Sequence, residues 1–218
     1  MNKNDMHNID EFLVYGSITD GDLDGWTSFH RAAEQGHLDR LPVEVLTSEN
    51  MTLVDLDWTT PLHYAAMNGQ LNLIPVDVLT SHNLANRDYY GKSPLYFAAC
   101  YRHLDQIPVE CFTSENMTIT DCCEWTPLHY AACNGQLDLI PVEVLAGNLG
   151  LEADREWTSV LELAIFNGHL DQLIGVEFGD WERRVAGEEW FQKKLALLNM
   201  QKAVAVEEKG RSDDIELF

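Results

Sequence analysis

Residues 60–81 read TPLHYAAMNGQLNLIPVDVLTS, and residues 126–147 read TPLHYAACNGQLDLIPVEVLAG. A third copy, SPLYFAACYRHLDQIPVECFTS, lies between them from Ser93, and TSFHRAAEQGHLDRLPVEVLTS precedes them from Thr27. A degenerate copy, TSVLELAIFNGHLDQL, starts at Thr158. Anchor positions recur every 33 residues throughout. They include Asp22, Asp55, Asp88, Asp121 and Asp154 in one series and Leu38, Leu71, Leu104, Leu137 and Leu170 in another. A fixed period of this length means a solenoid, in which each unit buries its apolar face only against its neighbours.

One copy shows the physics. Thr60 is placed to cap a helix and Pro61 to hold its first position, where a missing N–H costs nothing. Leu62, Ala65 and Ala66 give the helix an apolar side, and the alanines let a neighbour approach closely. Gly69 closes the helix in a left-handed conformation. Asn72, with its counterparts Asp39, Asp105 and Asp138, is expected to start a second helix whose first turn contains Pro75. Leu71, Ile74, Val78 and Leu79 would form its buried face. From Thr80 to Gly91 the chain reads as a polar, turn-like link, in which Asp88 is suited to accept hydrogen bonds from turn amides.

The TPLH-x-AA-x-x-G string at this period resembles the ankyrin family, in a bacterial-type variant with an IP-x-E-V-L-T second helix. The resemblance covers residues 9–179 and implies an all-α fold. That fold is an ankyrin-repeat solenoid of about five helix–turn–helix units with a C-terminal capping helix. The expected divisions are a half repeat over 1–24, repeats over 25–179, the capping helix over 180–206 and a flexible acidic tail over 207–218. Two departures stand out: Ile74-Pro75 interrupts what is commonly an aliphatic helix, and LTSEN-M replaces a glycine-led loop.

In this family the loops and first helices line a concave binding surface, so the resemblance implies contact positions. On the hairpins these are Asp24 and Trp26; Asp57, Trp58 and Thr59; Tyr89, Tyr90 and Lys92; Cys123, Glu124 and Trp125; and Glu156 and Trp157. On the helices they are Glu34 and Gln35, Met67 and Asn68, Cys100 and Tyr101, Cys133 and Asn134, and Phe166 and Asn167. Four of the six tryptophans fall on the hairpins, and Trp, Tyr and Met are the residues enriched at interfaces. The competing reading is that these rings pack against each other between adjacent loops. Aromatics flanked by Asp and Glu suit a partner surface rich in Lys or Arg. Trp58, Glu124 and Trp157 stand where other copies have Gly25 and Gly91, so each is either held at positive φ or sits in a reshaped loop.

Charge limits the partners further. With 36 acidic and 14 basic residues the formal balance is -22, which opposes direct binding to nucleic acid or to an anionic membrane. The leading expectation is a non-catalytic protein-binding scaffold or inhibitor with a basic protein partner. The alternative is an acidic nucleic-acid mimic that blocks a nuclease, repressor or defence enzyme. No cofactor is implied: the chain has no Gly-rich phosphate loop, no His/Glu metal motif and no Gly-x-Ser-x-Gly elbow. His30, His63 and His129 recur once per repeat, about 10 Å apart in stacked helices, too far for one ion; each is expected to bond its own turn. The five cysteines, Cys100, Cys111, Cys122, Cys123 and Cys133, read as reduced thiols. No signal peptide or apolar span is evident, so a cytoplasmic location is expected.

After Gly179 the repeat stops. Residues 181–206 read as a helix, with Trp181, Val185, Phe191, Leu195 and Leu198 near one face, and half the basic residues lie from Arg183 onward. A solenoid must cover its end face, so a cap is the simplest role, and a basic partner-binding helix is the other. The terminal Ile215-Glu216-Leu217-Phe218 string resembles short peptides that dock on bacterial sliding clamps.

Overall fold

In chain order the helices are α1 (Ser28–Glu34), α2 (Ser48–Met51), α3 (Pro61–Met67), α4 (Ser81–Leu84), α5 (Pro94–Cys100), α6 (Ser114–Met117), α7 (Pro127–Asn134), α8 (Val142–Ala146) and α9 (Val160–Phe166). The computed structural model describes residues 19–153, 158–173 and 176. The expected half repeat before Thr19, the capping helix and the tail lie outside the described residues.

The first helix of each repeat starts where its capping residue dictates. His63 Nδ1 accepts from the Thr60 N–H at 3.0 Å and lies 2.8 Å from Thr60 Oγ1. Thr27–His30 and Thr126–His129 repeat the arrangement. Ser93 Oγ accepts from the Tyr96 N–H, and Ser159 and Glu162 form a reciprocal box. Pro61, Pro94 and Pro127 occupy the first position. Gly36, Gly69, Gly135 and Gly168 follow the helices at positive φ, and Arg102 does the same at φ +68°.

Helices this short are marginal alone, so burial must hold them. α1, α3, α5, α7 and α9 contact one another in series, and the five motif copies lie side by side. Phe29, Leu62, Leu95, Leu128 and Leu161 form one fully buried row, with paired alanines from Ala32/Ala33 to Ala131/Ala132 between the helices. Leu38, Leu71, Leu104, Leu137 and Leu170 form a second buried row. The interior is continuous from repeat to repeat.

The second half of the repeat departs from the expectation of one helix. Leu71–Leu73 makes a single tight turn and stops at Ile74, which is extended at φ -93°, ψ 135°. Leu41, Ile107 and Ile140 do likewise. The cause is the following proline, whose ring excludes the α region for the residue before it. The extended residue still buries its side chain: Leu41, Ile74, Ile107 and Ile140 are all in the core. A fresh turn then begins on the proline carbonyl, as in the bond from the Val78 N–H to Pro75 O at 3.0 Å.

The segment read as a polar link contains α2, α4 and α6. Thr47, Thr80 and Thr113 accept from the Asn50, Asn83 and Asn116 N–H groups and cap these helices. Each Asn amide donates back to a carbonyl: Val45 O at 2.8 Å, Val78 O at 2.7 Å and Cys111 O at 3.2 Å. Met51, Leu84 and Met117 then form a third buried row, which Leu149 extends. The two-residue pair of Glu152–Ala153 with Thr158–Ser159, antiparallel, flanks the last hairpin.

Repeats are joined by side-chain amides of two alternating kinds. Gln70 reaches back from the second repeat, accepting from the Leu38 N–H (3.0 Å) and donating to Ala33 O (2.7 Å). Gln106, one turn later in the third repeat, accepts from the Leu71 N–H at 3.0 Å. Gln172 serves the fifth in the same way, accepting from the Leu137 N–H and donating to Gly135 O. The alternation matches the sequence, where GQL copies alternate with HLD copies.

Candidate functional site

Each hairpin is built on the Asp series. Asp55 Oδ1 accepts from the Asp57 and Thr59 N–H groups, both at 2.9 Å, and Asp22, Asp88 and Asp121 bind the equivalent amides. Burial pushes the Asp88 carboxyl up, against the opposing pull of the Lys92 and Tyr90 amides. The expected turn-amide role of Asp88 therefore holds at all four described copies, and Asp154 lies outside the described residues.

Successive hairpins are stitched by main-chain bonds: Leu56 N–H to Asp24 O (3.0 Å), Tyr89 N–H to Asp57 O (2.8 Å) and Cys122 N–H to Tyr90 O (2.9 Å). This brings Asp24, Asp57, Tyr89, Tyr90 and Cys122 into one row. The histidines add a second seam. His30 Nε2 lies 3.1 Å from Thr59 O, His63 Nε2 the same distance from Asn86 O and Lys92 O, and His129 Nε2 from Leu151 O. Each imidazole thus bonds its own turn, as expected, and also the next repeat.

Trp58 and Glu124 keep the left-handed backbone of the glycines they replace, at φ +61° and +66° beside +80° for Gly25 and +78° for Gly91. The loops are not reshaped. At this position the side chain is thrown outward, and Trp58 is 65% exposed. Trp26 and Trp125 stand one residue later and turn inward. Trp26 packs on Tyr64 with ring centroids 5.0 Å apart, and Trp125 on Tyr130 at the same separation. The tryptophans therefore divide between the two readings: Trp26 and Trp125 pack as framework, whereas Trp58 is free to touch a partner.

The remaining expected contact residues divide similarly. Tyr89 (73% exposed), Tyr90, Tyr101 and Phe166 (89%) are open, as are the carboxylates of Asp24, Glu34, Asp57 and Glu124. Lys92 lies over the Tyr96 ring at 5.3 Å and the Phe97 ring at 5.9 Å. Met67 is half-buried. Asn68 donates to Ala33 O and Glu34 O, and Asn134 to Ala99 O and Cys100 O. These amides satisfy the end of the neighbouring helix, so their first role is stacking. Glu156 and Trp157 lie outside the described residues. Sequence reasoning missed Leu23 and Leu56, which are 99% and 69% exposed beside Asp24 and Asp57. Their signal was an apolar residue directly after the turn Asp.

The face thus displays rings and leucines among carboxylates. Among the described residues no group of three or more His, Cys, Asp or Glu is placed to hold a metal ion, and no helix is long and apolar enough to cross a membrane.

Comparison with known families agrees with this geometry. Residues 41–109 match a model described as ankyrin repeats in three copies, and residues 123–148 match the single ankyrin repeat. No curated protein matches the chain. Repeats of this kind are generally protein-interaction scaffolds, and their stacked first helices, Asp-built hairpins and Thr–His boxes are those described above. Over residues 41–109 and 123–148 the chain is therefore made of ankyrin repeats.

Proposed function

We propose that this protein is a non-catalytic scaffold or inhibitor that holds a partner protein with a basic surface against its hairpin row and first helices. The observation that carries the proposal is the exposure of Trp58, Tyr89 and Tyr90 beside Asp57 and Glu124 on hairpins fixed to one another. Exposed aromatics on a rigid frame are the usual anchors of an interface, because little side-chain entropy is lost when they dock. Carboxylates around them favour Lys and Arg on the other side and disfavour nucleic acid.

A second reading, the acidic nucleic-acid mimic, draws on a different surface. Asp39, Asp105, Asp138 and Asp171 are exposed in every repeat but the second, which has Asn72, and Glu44, Asp77, Glu110 and Glu143 are exposed in four successive repeats. Rows of this kind would bind through charge alone.

The test is a quantitative pulldown of the full chain from native lysate in a salt series, beside Trp58→Ala/Tyr89→Ala and Asp105→Asn/Asp138→Asn variants. Anchored binding predicts a loss of about 10- to 30-fold for the aromatic pair, equal to roughly 1.5–2 kcal/mol, and modest salt dependence. Mimicry predicts the reverse: the aspartate pair weakens capture, and added salt abolishes it.

A further inference from the structure

The cysteines fall into two classes. Cys111 is buried and Cys100 and Cys133 are half-buried, and burial pushes all three thiols up. Cys122 and Cys123 are exposed at the tip of the fourth hairpin, with their Sγ atoms 3.8 Å apart. Their backbone is pinned: the Cys122 N–H donates to Tyr90 O at 2.9 Å and the Cys123 N–H to Asp121 Oδ1 at 2.8 Å. The pair is therefore held ready, and no loop has to be ordered to use both sulfurs.

A direct disulfide fits this pair poorly. Neighbouring Cα atoms stand about 3.8 Å apart, short of the roughly 4.4–6.8 Å that disulfides ordinarily bridge. A thiophilic centre suits it better. The two sulfurs, 3.8 Å apart on exposed side chains of a pinned backbone, need only a small rotation to close on one centre together. A structural zinc ion needs four ligands, and the described residues bring no third His, Cys, Asp or Glu to the pair. Monosubstituted trivalent arsenic needs only two, because its third valence is taken by carbon.

We propose that Cys122 and Cys123 form a dithiol site for monosubstituted trivalent arsenicals, R–As(OH)2. Two As–S bonds form, and two S–H and two As–O bonds break. Each hydroxide leaves as water with a thiol proton, and arsenic stays trivalent. The hydrogen bond with Cys122 pushes the Cys123 thiol up. The site is independent of the partner reading above.

The experiment is titration of the reduced full chain with phenylarsine oxide, read by intact mass, with Cys122→Ser, Cys123→Ser, Cys100→Ser and Cys133→Ser variants checked for unchanged far-ultraviolet circular dichroism. One adduct per chain is expected, displaced by a dithiol but not by the same concentration of a monothiol. Loss of either hairpin cysteine removes the chelate and should weaken binding at least about 100-fold, while Cys100→Ser and Cys133→Ser bind like the parent. Absence of the adduct, or undiminished affinity in either hairpin variant, overturns the proposal.

Discussion

His63 lies between two repeats: its Nδ1 accepts from its own Thr60, and its Nε2 reaches the Lys92 carbonyl oxygen of the next hairpin at 3.1 Å. Acceptance at Nδ1 fixes the proton on Nε2, so the neutral ring satisfies both contacts. A second proton would break the first. Burial accordingly pushes the His63 pKa down to about 4 from the ordinary 6.5.

Stability should therefore fall in mild acid. The folded state resists a proton that the unfolded chain accepts, so the His63 contribution is complete above about pH 6.5 and is lost as pH drops toward about 4. At 1.36 kcal/mol per unit, the loss is up to about 3 kcal/mol from this residue. Burial shifts His30 the same way and adds to the slope. Urea unfolding at pH 7 and pH 4.5 measures it; His63→Gln should be weaker at pH 7 but show a shallower slope. An equal slope would assign the acid sensitivity elsewhere.

Arg102 occupies the helix-closing position at φ +68° that glycine holds in the other repeats. A left-handed L-residue costs roughly 1–2 kcal/mol, and glycine returns part of that gain as chain entropy. Arg102→Gly should stabilise the protein by about 0.5–1 kcal/mol, seen as a higher urea midpoint with unchanged m-value.

Two glycines with similar backbones should differ on substitution. A Cβ on Gly36 meets nothing within 4 Å, whereas one on Gly69 falls 2.7 Å from the His103 ring. Gly36→Ala should cost about 1 kcal/mol for its positive φ alone. Gly69→Ala must also turn the half-buried His103 ring aside and should cost more, about 1–2 kcal/mol.

The hairpin tryptophans give a further contrast. Trp125 packs on Tyr130 and His129, so Trp125→Ala should lose about 1–3 kcal/mol of stability. Trp58 is mostly exposed, and Trp58→Ala should change stability by under about 0.5 kcal/mol. Thermal unfolding of the two variants decides it.

What the sequence disclosed and what it hid follow from the range of the forces involved. The Thr60-Pro61 start, the Asp55 turn and the alanine contacts are local or exactly periodic, and each appears where its residues imply. The second half of the repeat is not legible in the pattern, because Leu71, Ile74 and Val78 satisfy helical spacing whether or not the chain between them is helical. The decisive interaction was the steric effect of Pro75 on Ile74, which periodicity does not register. Thr47-Ser48-Glu49-Asn50 looked like a polar link because its one buried side chain, Met51, comes at the end. On the hairpins, residue type gave the same weight to Trp26 and Trp58. Their different fates depend on a one-residue offset from the left-handed position, which was visible in the alignment of Trp58 with Gly25.

The central claim is that the partner meets the hairpin row. Site-specific photo-crosslinking addresses it directly, with benzoylphenylalanine placed at Trp58 or at Val76, an exposed valine in the second half of the same repeat. The account predicts a discrete protein crosslink from position 58 and none from position 76. A crosslink from 76 with none from 58 would contradict it.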